Sequence, residues 1–234
     1  MLNRPQVRYD PVFHIIIDNI FGRAVNSEIF QHILSLKNHY RTAGVSKQHI
    51  MFPTYRTNQV CFIESLYRVP GPKTIDAAQL TLTQQELRWK SPLLRAIDKF
   101  LSTDSIKDLI ESAPAPLREF YNLKRREIQV SRYGEDQFYT WHKDDQGNNN
   151  RQITLVYYVH AIPKRFSGGE LFLSDGTVHK GKLSSGSKST RIEPENDRLV
   201  IFGSKISHCV NLTTSSGRFE DGRFSANIWI GELP

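Results

Sequence analysis

The chain has 234 residues, 38% hydrophobic and 11% aromatic, which is enough for one sizeable packed core and argues against global disorder. Its net charge of +7 could invite an acidic partner, but the basic residues are scattered, with KRRE at 124–127 the one dense cluster, so charge alone names no substrate. Two cysteines cannot build a disulfide framework, no leader-like start is seen, and the longest apolar run, FHIIIDNIF at 13–21, is too short to cross a bilayer. A cytoplasmic protein with no membrane segment is expected.

In chain order, VFHIIIDNIF at 12–21 reads as a strand. NSEIFQHILSLKNHY at 26–40 follows as an amphipathic helix, because Ile29, Phe30, Ile33, Leu34 and Leu36 recur at helical spacing after Asn26 and Ser27, a capping-type pair. Residues 84–123 predict a second helical section, clearest in SPLLRAIDKFL and SIKDLIESA and closed by Pro114 and Pro116. From Arg125 the period changes to two, in REIQVSRY, QFYTWH, QITLVYYVH, GELFLS, RLVIFG, SHCVNL and RFSANIWI, each bounded by Gly, Pro, Asn or Asp. The expected class is α+β: one domain over 1–234, with an N-terminal strand and supporting helices over 1–124 and a double-sheet jelly roll or related barrel over 125–234. SDGTVHKGKLSSGSKST at 174–190, poor in large apolar residues, reads as a long mobile loop, either a surface insertion or a lid.

The chemistry starts at WHKDD, 141–145. His142 and Asp144, two apart at a strand or its end, point the same way and would supply two of the three ligands of a two-histidine, one-carboxylate site with open positions for iron. With 8 histidines in the chain, a lone His-x-Asp is close to what chance produces, so the third ligand must come from elsewhere. His208 is the best candidate, since it follows the apolar strand RLVIFG and a short turn; His160, at the end of QITLVYYVH, and His179, in the polar loop, compete with it. Downstream, Arg223, Ser225, Asn227 and Trp229 share one face of a strand, presenting a guanidinium whose planar fork suits a carboxylate. Thr154, Val156 and Tyr158 form one face of another strand, and Tyr133 stands nine residues before His142.

Taken together, Y-x8-H-x-D, RQITLVYYV, GGEL, a distal His and an Arg six residues before a Trp resemble the 2-oxoglutarate and Fe(II)-dependent dioxygenases, in their prolyl-4-hydroxylase-like branch, over roughly residues 125–232. The resemblance implies a jelly-roll (double-stranded β-helix) core with iron on His142, Asp144 and His208. It also implies that Arg223 pairs with the distal carboxylate of 2-oxoglutarate, that Tyr133 and Tyr158 stand near this cosubstrate, and that Ser225 assists Arg223. Gly168, Gly169 and Glu170 match a structural Gly-Gly-Glu turn in which Gly169 allows a tight backbone. The interval of 15 residues from His208 to Arg223 is longer than is typical and makes Arg218 a rival. Arg223 is preferred because it adjoins the apolar strand, whereas Arg218 falls at a hairpin tip.

The implied activity is hydroxylation of an unactivated C–H bond with dioxygen, giving succinate and carbon dioxide, with ascorbate as a further cofactor. The implied substrate is an amino-acid residue, free or in a peptide or protein, proline being an example. Asp144 argues against a halogenase, which would need Ala or Gly there. Trp229 stands where nucleic-acid demethylases carry a second arginine, which argues against a nucleic-acid substrate. A noncatalytic barrel holding Zn²⁺ or Ni²⁺, or a protein-interaction domain, are the readings from other classes.

Overall fold

A computed structural model describes residues 4–44, 53–63, 75–76, 90–123, 125–145 and 150–232. The opening apolar run becomes β2 (His14–Asp18), paired antiparallel with β1 (Gln6–Arg8). The helix after it, α1 (Gly22–Ser35), starts four residues before Asn26. Asn26 is therefore no cap: it is buried within the helix, where its side-chain amide donates to the Tyr157 hydroxyl at 2.7 Å and its carbonyl accepts from Asn196 at 2.7 Å. The carboxylate of Asp197 holds the helix start instead, accepting from the backbone N–H of Phe21 at 3.2 Å and of Gly22 at 2.8 Å, where the helix dipole favours a negative charge.

Three short strands follow, β3 (Arg41–Thr42), β4 (Gln59–Cys61) and β5 (Ile75–Asp76). Of the second helical section, 84–89 lies outside the described residues; the rest forms α2 (Pro92–Leu101) and α3 (Asp104–Glu111). Ser91 caps α2 by accepting from the Leu94 N–H at 3.3 Å, and Pro92 fits the first turn, where no N–H is needed. Among the described residues no helix is long and apolar enough to cross a membrane.

The strand-rich half gives β6 (Arg125–Tyr133), β7 (Gln137–His142), β8 (Arg151–Val159), β9 (Phe166–Gly168) and β10 (Leu171–Ser174). The stretch expected as a loop is built as structure: β11 (Val178–His179) and β12 (Lys182–Leu183) make a hairpin, and β13 (Ser189–Ile192) pairs with β10. Lys180 and Gly181 at the tip both have positive φ, as a two-residue hairpin turn requires. The chain ends with β14 (Arg198–Gly203), β15 (Ser207–Ser215) and β16 (Arg223–Gly231).

Two sheets result. The larger has nine strands in the order β1-β2-β14-β8-β16-β6-β4-β3, with β5 also on β6; the smaller has five, β13-β10-β15-β7 with β9 on β15. Period two decides what each face meets. On β8, β14 and β16, Ile153, Leu155, Tyr157, Leu199, Ile201, Phe224 and Ile228 pack with Ile29, Ile33, Leu94, Ile97 and Ile110 of the helices. Val156, Tyr158, Val200 and Phe202 point the other way and pack on Leu171, Leu173 and Ile192 of the smaller sheet. The larger sheet is thus covered on both faces, each buried aliphatic side chain contributing on the order of 1.5–3 kcal/mol, and the core is a β-sandwich backed by helices. Towards β16 and β6 the inner face turns polar, with Gln129, Ser131, Tyr133, Arg223 and Ser225 all buried.

Candidate active site

His142 ends β7, and Asp144 lies two residues beyond, in a turn pinned by its backbone N–H donating to the Ser204 carbonyl at 3.0 Å. His208, near the start of β15, is the direct cross-strand partner of His142. One ligand atom from each of His142, Asp144 and His208 lies within 4.8 Å of the others, and all three residues are buried. The Asp144 carboxylate is 3.9 Å from Nε2 of His142 and 3.4 Å from Nε2 of His208.

Both imidazoles are oriented from behind. Nδ1 of His142 bonds the Thr140 carbonyl at 2.8 Å and Nδ1 of His208 the Ile206 carbonyl at 2.9 Å, so each Nδ1 carries the proton and each Nε2 lone pair faces the cluster. Asp144 accepts from Thr154 Oγ1 at 2.8 Å, and since the Thr154 proton is used there, the contact of Thr154 with Ser204 Oγ at 2.9 Å has Ser204 as donor. Burial, reinforced by the neighbouring His208, pushes the His142 pKa well down and keeps its ring neutral. Burial works against the Asp144 charge, but His208, His142, Arg151 and the nearby Trp229 indole outweigh it and bring its pKa to about 2. Two imidazoles and one carboxylate, buried and convergent, can hold a divalent metal ion.

The carboxylate receptor is assembled on the same inner face. Arg223 is 1% exposed, donates from Nε to the Gly169 carbonyl at 2.9 Å and from Nη1 to Ser225 Oγ at 3.0 Å, and lies between the rings of Tyr133 and Tyr158, 4.8 Å from each centroid. No carboxylate pairs with it among the described residues. The buried Tyr158 hydroxyl and Thr213 Oγ1 have no hydrogen-bond partner there. A buried cation without a counter-ion, together with orphaned hydroxyls, fits a small anion. Burial raises the Tyr133 pKa and, despite the opposing Arg223 charge, takes that of Tyr158 to about 12, so both phenols remain donors.

The rivals fall elsewhere. Arg218 is exposed at the start of a short 3-10 turn and pairs with Asp221 at 2.7 Å. His160 is buried at the end of β8 with its Nδ1 on the Ala161 carbonyl, and His179 is exposed in the hairpin. The Gly-Gly-Glu turn is structural: both glycines have φ of 70°, a Cβ on Gly168 would lie 2.0 Å from the Leu212 carbonyl oxygen, and the Glu170 carboxylate binds Arg191 at 2.5 Å and Asn211 at 2.9 Å. Sequence reasoning missed Thr213 and Ser204, whose hydroxyls carry no spacing signal. It also missed Tyr139, whose ring stacks on His142 at 3.5 Å and 15°. Strict alternation would put residues 139 and 142 on opposite faces, but a register shift between His208 and Val210 brings Tyr139 round.

A family model described as the 2OG-Fe(II) oxygenase superfamily matches residues 128–231. An uncharacterized PKHD-type hydroxylase of Synechocystis is 35% identical over 107 residues, 44% of this chain and 35% of that protein, so the chain spans about a third of the length of this curated relative. Among solved structures, a Trichoplax adhaerens prolyl hydroxylase in complex with a hypoxia inducible factor peptide fragment matches with a TM-score of 0.59 at 18% identity, over 94% of this chain and 83% of that one. A Pseudomonas putida prolyl-4-hydroxylase matches with a TM-score of 0.50 at 19% identity, over 94% and 92%. At such identities the likeness is one of fold, and the fold is prolyl-hydroxylase-like. The family uses Fe(II) and 2-oxoglutarate, and the buried His-Asp-His cluster has the donor set for that metal. The cluster and Arg223 both lie within residues 128–231, the span over which the chain is similar to the 2OG-Fe(II) oxygenase superfamily.

Proposed function

We propose that the protein is a 2-oxoglutarate- and Fe(II)-dependent hydroxylase of an unactivated C–H bond in an amino-acid residue, free or within a peptide or protein, releasing succinate and carbon dioxide. In this reading His142, Asp144 and His208 bind the metal, Arg223 takes the distal carboxylate of 2-oxoglutarate with Ser225 bracing its fork, and Tyr133 and Tyr158 line the cosubstrate. The observation that carries it is the juxtaposition of two aimed imidazoles and an ionised Asp144 with a buried guanidinium that has no counter-ion among the described residues. The prolyl hydroxylases that share the fold support an amino-acid residue, proline among the options, as the target. Alternation of β6, β7, β8, β10, β14, β15 and β16 between the sheets supports a double-stranded β-helix core. The apolar core shared by helices and strands supports one domain over 1–234.

When bound, iron with dioxygen and 2-oxoglutarate supplies the oxidising power, so no side chain has to act as general base on the C–H bond. The protein supplies position. Backbone carbonyls fix the imidazole tautomers, Thr154 and Ser204 fix the Asp144 carboxylate, and the two phenols and Arg223 hold the cosubstrate while the sandwich excludes water. Anaerobic loading with Fe(II) and 2-oxoglutarate should give a weak visible charge-transfer band, and a screen of amino acids and peptides should find one that stimulates succinate release. Fully loaded protein that shows neither would overturn the assignment.

A further inference from the structure

We propose that Arg56 binds a carboxylate of the primary substrate, so that the site takes an amino acid or peptide that presents a free carboxylate next to the C–H bond to be attacked. This rests on the hydroxylase reading above. Residues 55–61 run from one sheet to the other: Thr140 N–H donates to the Tyr55 carbonyl at 2.9 Å and Thr57 N–H to that of Phe138 at 3.2 Å, after which β4 pairs with β6. Alternate residues of this stretch turn inward, Asn58 and Val60 being buried and Arg56 half-buried.

Among the described residues the Arg56 guanidinium is held in place by neutral groups. Nε donates to Asn58 Oδ1 at 2.6 Å, Nη2 to Gln129 Oε1 at 3.4 Å, and Cζ lies 4.4 Å from the centroid of Tyr139, the ring that stacks on His142. No carboxylate pairs with Arg56 among the described residues, whereas Arg151, over the Trp229 ring at 3.8 Å, has Glu127 at 2.6 Å. A fixed, partly desolvated guanidinium with donors to spare is built for an anion.

The cosubstrate leaves no anion for it. The two charges of the metal face Asp144 and the two carboxylates of 2-oxoglutarate, and Arg223 makes up the difference. Arg56 is then one positive charge in excess, which a substrate carboxylate neutralises. Exposure agrees: Arg223 is sealed in, while Arg56 is half-exposed and so within reach of a second reactant from solvent.

The test uses full-length protein loaded anaerobically with Fe(II) and 2-oxoglutarate. It is titrated with the free amino acids, their amides, and short peptides with or without an acidic side chain or a free C-terminus, and binding is read from the visible band and by calorimetry. At least one free acid should bind about tenfold or more tightly than its amide. Arg56→Gln should erase that preference, Arg56→Lys should restore part of it, and the 2-oxoglutarate affinity should stay within about twofold in both. The compound that binds shows whether the carboxylate is that of a free amino acid, a side chain or a chain end. No acid preference in wild type, or a weakened 2-oxoglutarate affinity in Arg56→Gln, overturns the proposal. Failure of wild type to bind 2-oxoglutarate at all would instead strike the hydroxylase reading.

Discussion

His142 and His208 are direct partners across β7 and β15, with ring centroids 4.1 Å apart, and each donates from Nδ1 to the carbonyl of the residue two places before it. The same local bond on two adjoining strands aims both Nε2 atoms at Asp144. The site is thus a property of strand pairing as much as of residue type.

Asp144 supplies the only carboxylate of that cluster. Asp144→Ala should lower hydroxylation and the stoichiometry of bound iron, each by about 100-fold or more. Metal analysis alongside succinate release checks this, and full iron loading with normal turnover would remove Asp144 from the set.

Thr154 is not part of the His-Asp-His cluster, yet its hydroxyl holds Oδ2 of Asp144. Thr154→Val should weaken Fe(II) or Co(II) binding by about 10–100-fold, the usual cost of losing such a support. A metal titration decides it, and unchanged affinity would make the hydroxyl structural.

Arg223→Ala should raise the 2-oxoglutarate requirement by about tenfold or more, because the buried carboxylate partner is lost. Arg218→Ala, at an exposed surface pair, should leave that requirement within about twofold. Steady-state kinetics on both variants separates them, and the reverse result would transfer the role to Arg218.

Glu170 gives a pH prediction. Burial pushes its pKa up, but the bonds from Asn211, its own backbone N–H and Arg191 more than offset this and hold it below the ordinary 4.5. A depressed carboxylate contributes stability that is complete above the unfolded value and is lost as pH falls through the lower folded value. Glu170→Gln should therefore lower Tm at neutral pH and flatten its fall below about pH 4.5. Scanning calorimetry across that range tests the sign.

Gly168→Ala should cost more than about 2 kcal/mol, from positive φ combined with a Cβ 2.0 Å from the Leu212 carbonyl oxygen. Gly217→Ala, with φ of 80° and open space around it, should cost only about 1 kcal/mol. Urea denaturation of the pair would expose equal costs, if backbone strain alone mattered.

The strands of the second half were legible because both faces of the larger sheet are buried by different partners, so apolar and functional residues alternate cleanly from Arg223 to Ile230. The helix start was not. Asn26 looks like a cap within its own ten residues, but the group that does the capping, Asp197, is 175 positions from Gly22 and carries no local signal. Residues 174–190 were misread because a two-residue hairpin and a short outer strand need few apolar side chains. Tyr139 and Arg56 escaped for a third reason: one depends on a bulge that breaks the alternation, the other on a segment that joins the site only through tertiary pairing.

That segment has a further meaning for anyone trimming the gene. The span matched by family likeness begins at residue 128, yet Arg56, Asn58 and the three helices precede it. Cut out alone, that span would lose the segment that pairs with β6 and β7 and leave Phe224, Ile228 and their neighbours facing water, so it should precipitate rather than fold.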